Sequence, residues 1–403
     1  MRALRLSLAF LFVTTASLTA QSPPRRPTLP AGDDTCNASH YYRYGVTLLH
    51  DRPDRAAAAF YWAQRLAPND AFAYYAQRVA LFKADPDLLR RYIDGDRRTL
   101  RSERVARIDS LQVKALVLNP LFPPILEETL LLTYWTRVIS QRLRSGTGVT
   151  PRFRDDELEE EIRREIEVRG DSSTQAWIAY ARGRYQVAAD YWAVELRRDP
   201  RDVGLRVERA HALYLAGQLD SARTEMDTAL VAARRADATT LRYVYDSKAL
   251  LEYTLGRILE QRGDGAAARA AYQRALLEDL SFHPAHVRLA YVAVVAADTA
   301  TALTELERAV EIRGDDYAAR LVLGMLHAAR REFDPATAQL RRAVEIEPWV
   351  AQPHFVLADV RQRAGDREGA GAEYRRFLAL AALGDPSLEI ARQRLAALDA
   401  PAP

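Results

Sequence analysis

Small and apolar residues recur along the second half of the chain with a spacing of 34 residues. A small residue is followed seven positions later by a turn residue, and that turn residue is followed five positions later by alanine. Apolar stretches of helical period on both sides of a turn predict a pair of antiparallel helices. A fixed period predicts that such pairs stack side by side. The turn column consists of Gly183, Gly217, Gly263, Ala297, Arg331 and Gly365.

The small columns indicate where the two helices of each pair cross, because helices approach closely only where their facing side chains are small. Before the turn stand Ala176, Ala210, Gly256, Ala290, Gly324 and Ala358, and after it stand Ala188, Ala222, Ala268, Ala302, Ala336 and Ala370. A bulky column is predicted to fill the next layer: Trp192, Met226, Tyr272, Leu306, Leu340 and Tyr374.

This pattern closely resembles the tetratricopeptide repeat (TPR) family, whose 34-residue unit is a helix, a turn and a helix. The segment RAVEIEPWVAQPHFVLADVRQRAGDREGAGAEYRRFLAL carries the likeness well. The resemblance covers six units over 169–384 and implies an all-α fold, a right-handed TPR-type α-solenoid. The chain departs from the family in two columns. The usual aromatic residue near the unit start is replaced by Ser172 and Arg206, and the proline near the unit end is replaced by Arg234, Leu280, Gly314 and Ala382.

One interval departs from the period, because Gly217 and Gly263 are 46 residues apart, which is 12 more than the repeat. The extra residues, near 237–248, have a helical composition. The simplest prediction is that the first helix of the third unit is longer by roughly three turns. A loop excursion is the alternative.

Residues 38–150 are predicted to form a less regular helical region with one degenerate TPR-like unit, in which the turn is one residue short. A charged connecting helix is expected at 151–168, since Glu159 and Arg163 are among the pairs with i,i+4 spacing. Residues 385–403 are expected to form a capping helix and tail.

The first 20 residues have a basic start, a short apolar run and small residues up to Ala20, which is typical of a secretory signal peptide. A proline-rich tether is predicted at 21–37. We therefore expect an exported bacterial protein, periplasmic or secreted, with no membrane span in the mature chain.

The composition excludes several functions. The 57 basic and 54 acidic residues nearly balance, which argues against nucleic-acid binding. Cys36 is the only cysteine, so the chain has no internal disulfide and no zinc site of the CxxC type. His283 and His286 offer two metal ligands at i,i+3 spacing, but no carboxylate or thiol cluster lies nearby in sequence. We expect no metal, no cofactor and no catalysis.

In the resembled family, ligand contacts come from the second, fifth, ninth and twelfth residues of each unit, on the first helix, which lines a concave groove. The corresponding residues here are Trp177, Tyr180, Val207, His211, Tyr214, Tyr253, Arg257, Val287, Tyr291, Leu321, Met325, Phe355 and Asp359. Most are aromatic or aliphatic, which predicts a non-catalytic scaffold that binds a protein or peptide segment. Alternatively, neighbouring units or the N-terminal helices bury these residues.

Two other functions stay open at this stage. One is a cell-wall or glycan hydrolase with its site in the irregular N-terminal half. The other is a self-assembling structural protein, which would form a homo-oligomer.

Overall fold

The computed structural model describes residues 23–49, 51–93, 95–119, 172–181, 183–239 and 247–400. Over these residues the chain forms nineteen α-helices and no strand. The predicted signal peptide and the predicted connecting helix at 151–168 lie outside the described ranges. None of the helices within those ranges combines the length and the apolar character that crossing a membrane requires.

The N-terminal part begins with a helix pair that is built like the later repeats. In this pair, α1 and α2, Gly45 packs directly on the Phe60 ring, and a Cβ atom at Gly45 would lie 2.6 Å from the ring. The small residue is therefore required where these helices cross. The helices are α1 (Ala38–Leu48), α2 (Pro53–Leu66), α3 (Ala71–Lys83), α4 (Pro86–Ile93), α5 (Arg97–Leu100) and α6 (Glu103–Leu118).

The second half is an all-α solenoid of six helix pairs, as the 34-residue period predicts. In each pair, or unit, the second helix packs against the first helix of its own unit and that of the next unit. The units are α7 (Ser172–Ala181) with α8 (Tyr185–Arg198), α9 (Val203–Leu215) with α10 (Leu219–Thr239), α11 (Ala249–Gln261) with α12 (Gly265–Glu278), α13 (His283–Val295) with α14 (Thr299–Ile312), α15 (Tyr317–Ala329) with α16 (Phe333–Ile346), and α17 (Ala351–Arg363) with α18 (Arg367–Leu380). A last helix, α19 (Leu388–Asp399), packs on α18.

The repeating columns have the structural roles that their residue types predict. Every residue of the two small columns and of the bulky column is buried. All six turn residues adopt a positive φ angle, and these include Ala297 at 58° and Arg331 at 61°, which are not glycine. The left-handed backbone conformation of the turn is therefore imposed by the helix ends on both sides of it. Units 4 and 5 adopt this conformation although their turn residue is not glycine, which strains the backbone there.

The 12 extra residues do not lengthen the first helix of the third unit, and that prediction is wrong. The first helix, α11, has 13 residues, the same length as α13, whereas the second helix of the preceding unit, α10, has 21. Arg234 stands where the family has a helix-ending proline, and α10 continues past it through residues that favour helix formation. The rest of the insertion, 240–246, lies outside the described residues.

A polar pair between the two helices of a unit explains why Arg206 replaces the family's aromatic residue. The Arg206 guanidinium contacts the Glu225 carboxylate at 2.8 Å. Three later units hold a polar pair with the same separation of 19 residues. These pairs are His286 with Glu305 (2.6 Å), Arg320 with Gln339 (2.8 Å) and His354 with Glu373 (2.7 Å).

The N-terminal helices pack against the far end of the solenoid. The Trp62 ring meets the Trp349 ring edge-on at a centroid distance of 5.2 Å, and the Arg65 guanidinium contacts the Glu347 carboxylate at 3.0 Å. The backbone N–H of Leu383 donates to the Asp34 carboxylate at 2.6 Å. These contacts lie at the connections that follow the second helices of units 5 and 6.

Candidate functional site

The structure divides the thirteen predicted groove residues into three groups. Tyr291 and Met325 are exposed. Tyr180, Tyr253 and Leu321 are buried. The others are half-buried: Trp177, Val207, His211, Tyr214, Arg257, Val287, Phe355 and Asp359.

The three buried residues belong to the hydrophobic core, so we leave them out of the candidate surface. Tyr253 packs against the rings of Tyr272 and Phe282 at centroid distances of 5.7 and 5.5 Å. Tyr180 lies among three other aromatic rings, and Leu321 belongs to an aliphatic cluster that includes Leu340. Large side chains at these positions fill the space between stacked helices and do not project from it.

Two half-buried residues near the C-terminal end are held by contacts within the chain. The Phe355 ring packs on Phe377 at a centroid distance of 5.1 Å, and the Arg394 guanidinium of α19 lies 5.9 Å from its centre. Arg394 also binds the Asp359 carboxylate, which Arg363 approaches to 3.5 Å. The capping helix therefore occupies this part of the predicted groove.

An exposed apolar surface lies on the first helices of units 4 and 5, and we call it the first-helix strip. It consists of five residues on α13 and α15. Their exposed fractions are 52% for Tyr291, 43% for Val294, 71% for Val295, 38% for Val322 and 43% for Met325.

The repeat itself places the two halves of the strip next to each other. In the preceding units, Glu260 of α11 and Arg288 of α13 are 28 residues apart and form an ion pair, with Arg288 Nε 3.1 Å from Glu260 Oε2. Val294 and Val322 have the same separation of 28 residues on the next two first helices. The repeat therefore predicts that the strip runs from unit 4 into unit 5.

Sequence reasoning identified Tyr291 and Met325 but missed the three valines. Val294 is the twelfth residue of its unit, a column that the family pattern already singles out. Val295 and Val322 lie one position beyond the columns of the family pattern, so only their exposure reveals them.

A basic and aromatic group borders the strip. The Arg288 guanidinium lies 4.6 Å from the centre of the Tyr291 ring, a cation–π contact. The Tyr272 hydroxyl donates to the Glu260 carboxylate at 2.6 Å. Burial, and then the nearby Arg257, lower the pKa of Arg288. One side of Tyr291 is thus fixed by Arg288 while half of its surface stays exposed.

A different polar arrangement occurs on the first helix of unit 2. Glu208 and His211 are one turn apart on α9, and the Glu208 Oε2 and His211 Nε2 atoms are buried without a hydrogen-bond partner. Burial raises the pKa of Glu208 to about 8 and lowers the pKa of His211 to about 4. Both groups are therefore largely uncharged at neutral pH.

The histidines that sequence analysis considered for metal binding have other partners. His286 pairs with Glu305 and contacts the Leu280 carbonyl oxygen at 3.1 Å, while His283 lies 3.2 Å from the Asp316 carboxylate. Burial of Asp316 opposes ionisation, but His283, Arg313 and a backbone N–H outweigh it and hold the Asp316 pKa well below its usual range. In the ranges that the structure describes, no three His, Cys, Asp or Glu side chains form a metal-binding group.

Cys36 is half-buried and carries a free thiol. Its Sγ atom lies 3.7 Å from the Ala379 carbonyl oxygen, at the contact between the N-terminal part and the solenoid.

The helix lengths, the 34-residue spacing and the buried small columns together identify the architecture. The solenoid is of the tetratricopeptide repeat type. Solved structures that resemble it include YrrB, described as a TPR protein with an unusual peptide-binding site, at 22% identity and a TM-score of 0.42, covering 51% of this chain and all of that one.

Two further structures are similar. The C-terminal part of a TPR repeat-containing protein from Cytophaga hutchinsonii is 15% identical, with a TM-score of 0.44, over 56% of this chain and 94% of that one. MamA from Desulfovibrio magneticus RS-1 is 18% identical, with a TM-score of 0.38, over 44% of this chain and 94% of that one. No family model and no curated protein matches the chain.

Proposed function

We propose that this protein is an exported, non-catalytic scaffold that binds a segment of another protein along the first helices of its solenoid. The observation that carries the proposal is the first-helix strip. Its five apolar side chains are exposed on adjacent units, and a continuous exposed apolar surface is characteristic of a site that a partner covers. An extended or helical peptide segment would bury them.

For the described part of the N-terminal region, the hydrogen bonds, ion pairs and ring contacts with the solenoid do not involve a residue of this strip. These contacts with the solenoid involve Trp349, Glu347 and Leu383, which lie in and after the connections of units 5 and 6. Tyr291 and Met325 keep about half of their surface exposed while those contacts are made. The self-burial alternative from the sequence therefore does not apply to these two residues, which supports a role in partner binding.

The test is affinity capture from the envelope fraction of the source cell. One variant combines Tyr291→Glu with Met325→Glu, and its control combines Leu277→Glu with Leu280→Glu. The control residues are also apolar and are 84% and 78% exposed, but they lie at the end of the second helix of unit 3 and just after it. We expect the wild type and the control to retain the same proteins and the strip variant to lose them. Unchanged retention by the strip variant would refute the proposed site.

Export has its own test. If residues 1–20 form a cleaved signal peptide, the protein recovered from the envelope or the medium begins at Gln21. N-terminal sequencing of the recovered protein measures this. An intact N-terminus on protein found only in the cytoplasm would contradict export.

Self-assembly remains a separate prediction from the sequence, and light scattering on the purified protein measures it. A monomer that captures a partner supports the scaffold function. A large homo-oligomer whose formation depends on Tyr291 and Met325 would instead assign the first-helix strip to self-association.

A further inference from the structure

A glutamate of unit 2 occupies the place that an ion-paired arginine occupies in unit 4. Glu208 and Arg288 each follow the twelfth residue of the preceding unit by 28 positions. In unit 4 that preceding residue is Glu260, which forms an ion pair with Arg288. In unit 2 it is Tyr180, so Glu208 has no cation at the equivalent position.

Polar side-chain atoms of Glu208 and of the neighbouring His211 lack hydrogen-bond partners. Neither the Glu208 Oε2 atom nor the His211 Nε2 atom has a hydrogen-bond partner, and both atoms are buried. No hydrogen bond or ion pair joins Glu208 to another described residue, whereas its neighbour Arg209 binds both Glu225 and the Ala189 carbonyl oxygen. Buried polar groups are usually paired, because an unpaired one costs about 1–3 kcal/mol. Two such unpaired polar atoms are suited to a hydrogen-bonding group supplied from outside the chain.

Aromatic rings border this place on the preceding first helix. Tyr180 is close enough to Glu208 for the carboxylate to contribute to raising the tyrosine pKa, after burial. The Trp177 and Tyr180 rings lie 5.9 Å apart. Aromatic rings attract a guanidinium group, which stacks on them, and a carboxylate binds it through two parallel hydrogen bonds. The same chain shows this combination at Arg288, which stacks on Tyr291 and binds Glu260.

We propose that Glu208 and His211 form a subsite for an arginine side chain of the bound protein segment. The guanidinium charge favours the ionised form of Glu208, which releases its proton to solvent as its carboxylate accepts from the guanidinium. His211 Nε2 accepts a further hydrogen bond, and the half-buried Trp177 ring provides an aromatic wall. This inference rests on the proposed function and specifies one residue of the partner.

The experiment uses a phage library of random 12-residue peptides, selected separately on the wild-type protein, on Glu208→Gln and on Glu307→Gln. Glutamine has nearly the shape of glutamate but no charge, and Glu307 is an exposed glutamate on the second helix of unit 4. We expect peptides selected by the wild type and by Glu307→Gln to carry arginine at one position several-fold above its library frequency. Selection on Glu208→Gln removes this enrichment.

The best wild-type peptide then gives a double-mutant cycle. Replacing its arginine by glutamine should weaken binding at least tenfold to the wild type and have little effect on binding to Glu208→Gln. Replacement by lysine should keep part of the affinity, since lysine retains the charge but lacks the planar fork. The effect of replacing the peptide arginine is also measured on the wild-type protein. That half of the cycle therefore does not depend on whether Glu208→Gln is stably folded.

The outcomes separate this inference from the proposed function. Peptides without an arginine preference, or an arginine preference that survives Glu208→Gln, overturn the subsite and leave peptide binding intact. If the wild type selects no peptide and the strip variant captures the same proteins as the wild type, both proposals fail.

Discussion

The substitution Gly256→Ala tests the close packing within a unit. Gly256 lies in the small column of α11, and a Cβ atom there would come within 2.6 Å of Tyr272 Cδ1 on α12. Ordinary contacts between a Cβ atom and its neighbours begin near 3.4 Å. The Tyr272 ring cannot swing aside freely, because its hydroxyl donates to Glu260 and its face packs on Tyr253.

The expected magnitude follows from two opposing effects. Alanine favours a helix interior over glycine by about 1 kcal/mol. Overpacking a well-filled core costs about 1–3 kcal/mol, and a fixed aromatic ring puts Gly256 towards the upper end. We therefore expect Gly256→Ala to lower the free energy of unfolding by about 1–2 kcal/mol.

A matched control is Gly371→Ala in α18. There the nearest atoms to an added Cβ atom are Arg375 Nη1 at 3.5 Å and Leu395 Cδ1 at 3.7 Å, which are ordinary contacts. This variant should be stabilised by about 0.5–1 kcal/mol. The free energy of unfolding of both variants is measured by chemical denaturation, with circular dichroism as the probe. The reasoning is refuted if Gly256→Ala is as stable as the wild type, or if both variants are destabilised equally.

Three further predictions concern other parts of the chain. Ala297→Gly and Arg331→Gly should each stabilise the protein by about 1 kcal/mol, because glycine relieves the left-handed turn; loss of stability in denaturation would contradict this. Glu208→Gln should gain stability over the wild type as pH rises from 5 to 9, by up to about 4 kcal/mol. The reason is that folded Glu208 keeps its proton to about pH 8, whereas the unfolded chain releases it near pH 4.5. A pH-independent difference in melting temperature would contradict it. Trp349→Ala should speed amide hydrogen exchange in α1 and α2, since it removes the ring contact with Trp62, whereas unchanged exchange would show that this contact does not hold them.

The solenoid could be predicted because its packing repeats. A small residue at each crossing and a left-handed residue at each turn are local requirements, so they recur at fixed positions in the sequence. The 34-residue spacing was regular enough to place Ala297 and Arg331 in the turn column although neither is glycine.

The candidate surface could be predicted only in part. Tyr180 and Tyr253 occupy family ligand positions, yet their rings fill the core, because the neighbouring residues here are also aromatic. Burial of a side chain depends on the residues that pack against it from the second helix and from the connection that follows, and a single column does not reveal them. The contact of Trp62 with Trp349 joins residues far apart in sequence, and no periodicity indicates it.

The prediction that the first helix of unit 3 is lengthened was wrong for a related reason. The pattern located the extra residues near 237–248, but composition alone did not decide which neighbouring helix would take them. Arg234 in place of proline permits α10 to continue, but it does not decide the matter, since the second helices of units 3 and 4 end on time with Leu280 and Gly314 at the same position.

Site-specific photo-crosslinking in the source cell tests the central claim most directly. A photoreactive phenylalanine analogue replaces Tyr291 in the first-helix strip, or Leu277, which is more exposed but lies on the second helix of unit 3. The account predicts a discrete crosslinked protein adduct at position 291 and none at 277. No adduct at 291, or the same adduct at both positions, would contradict it.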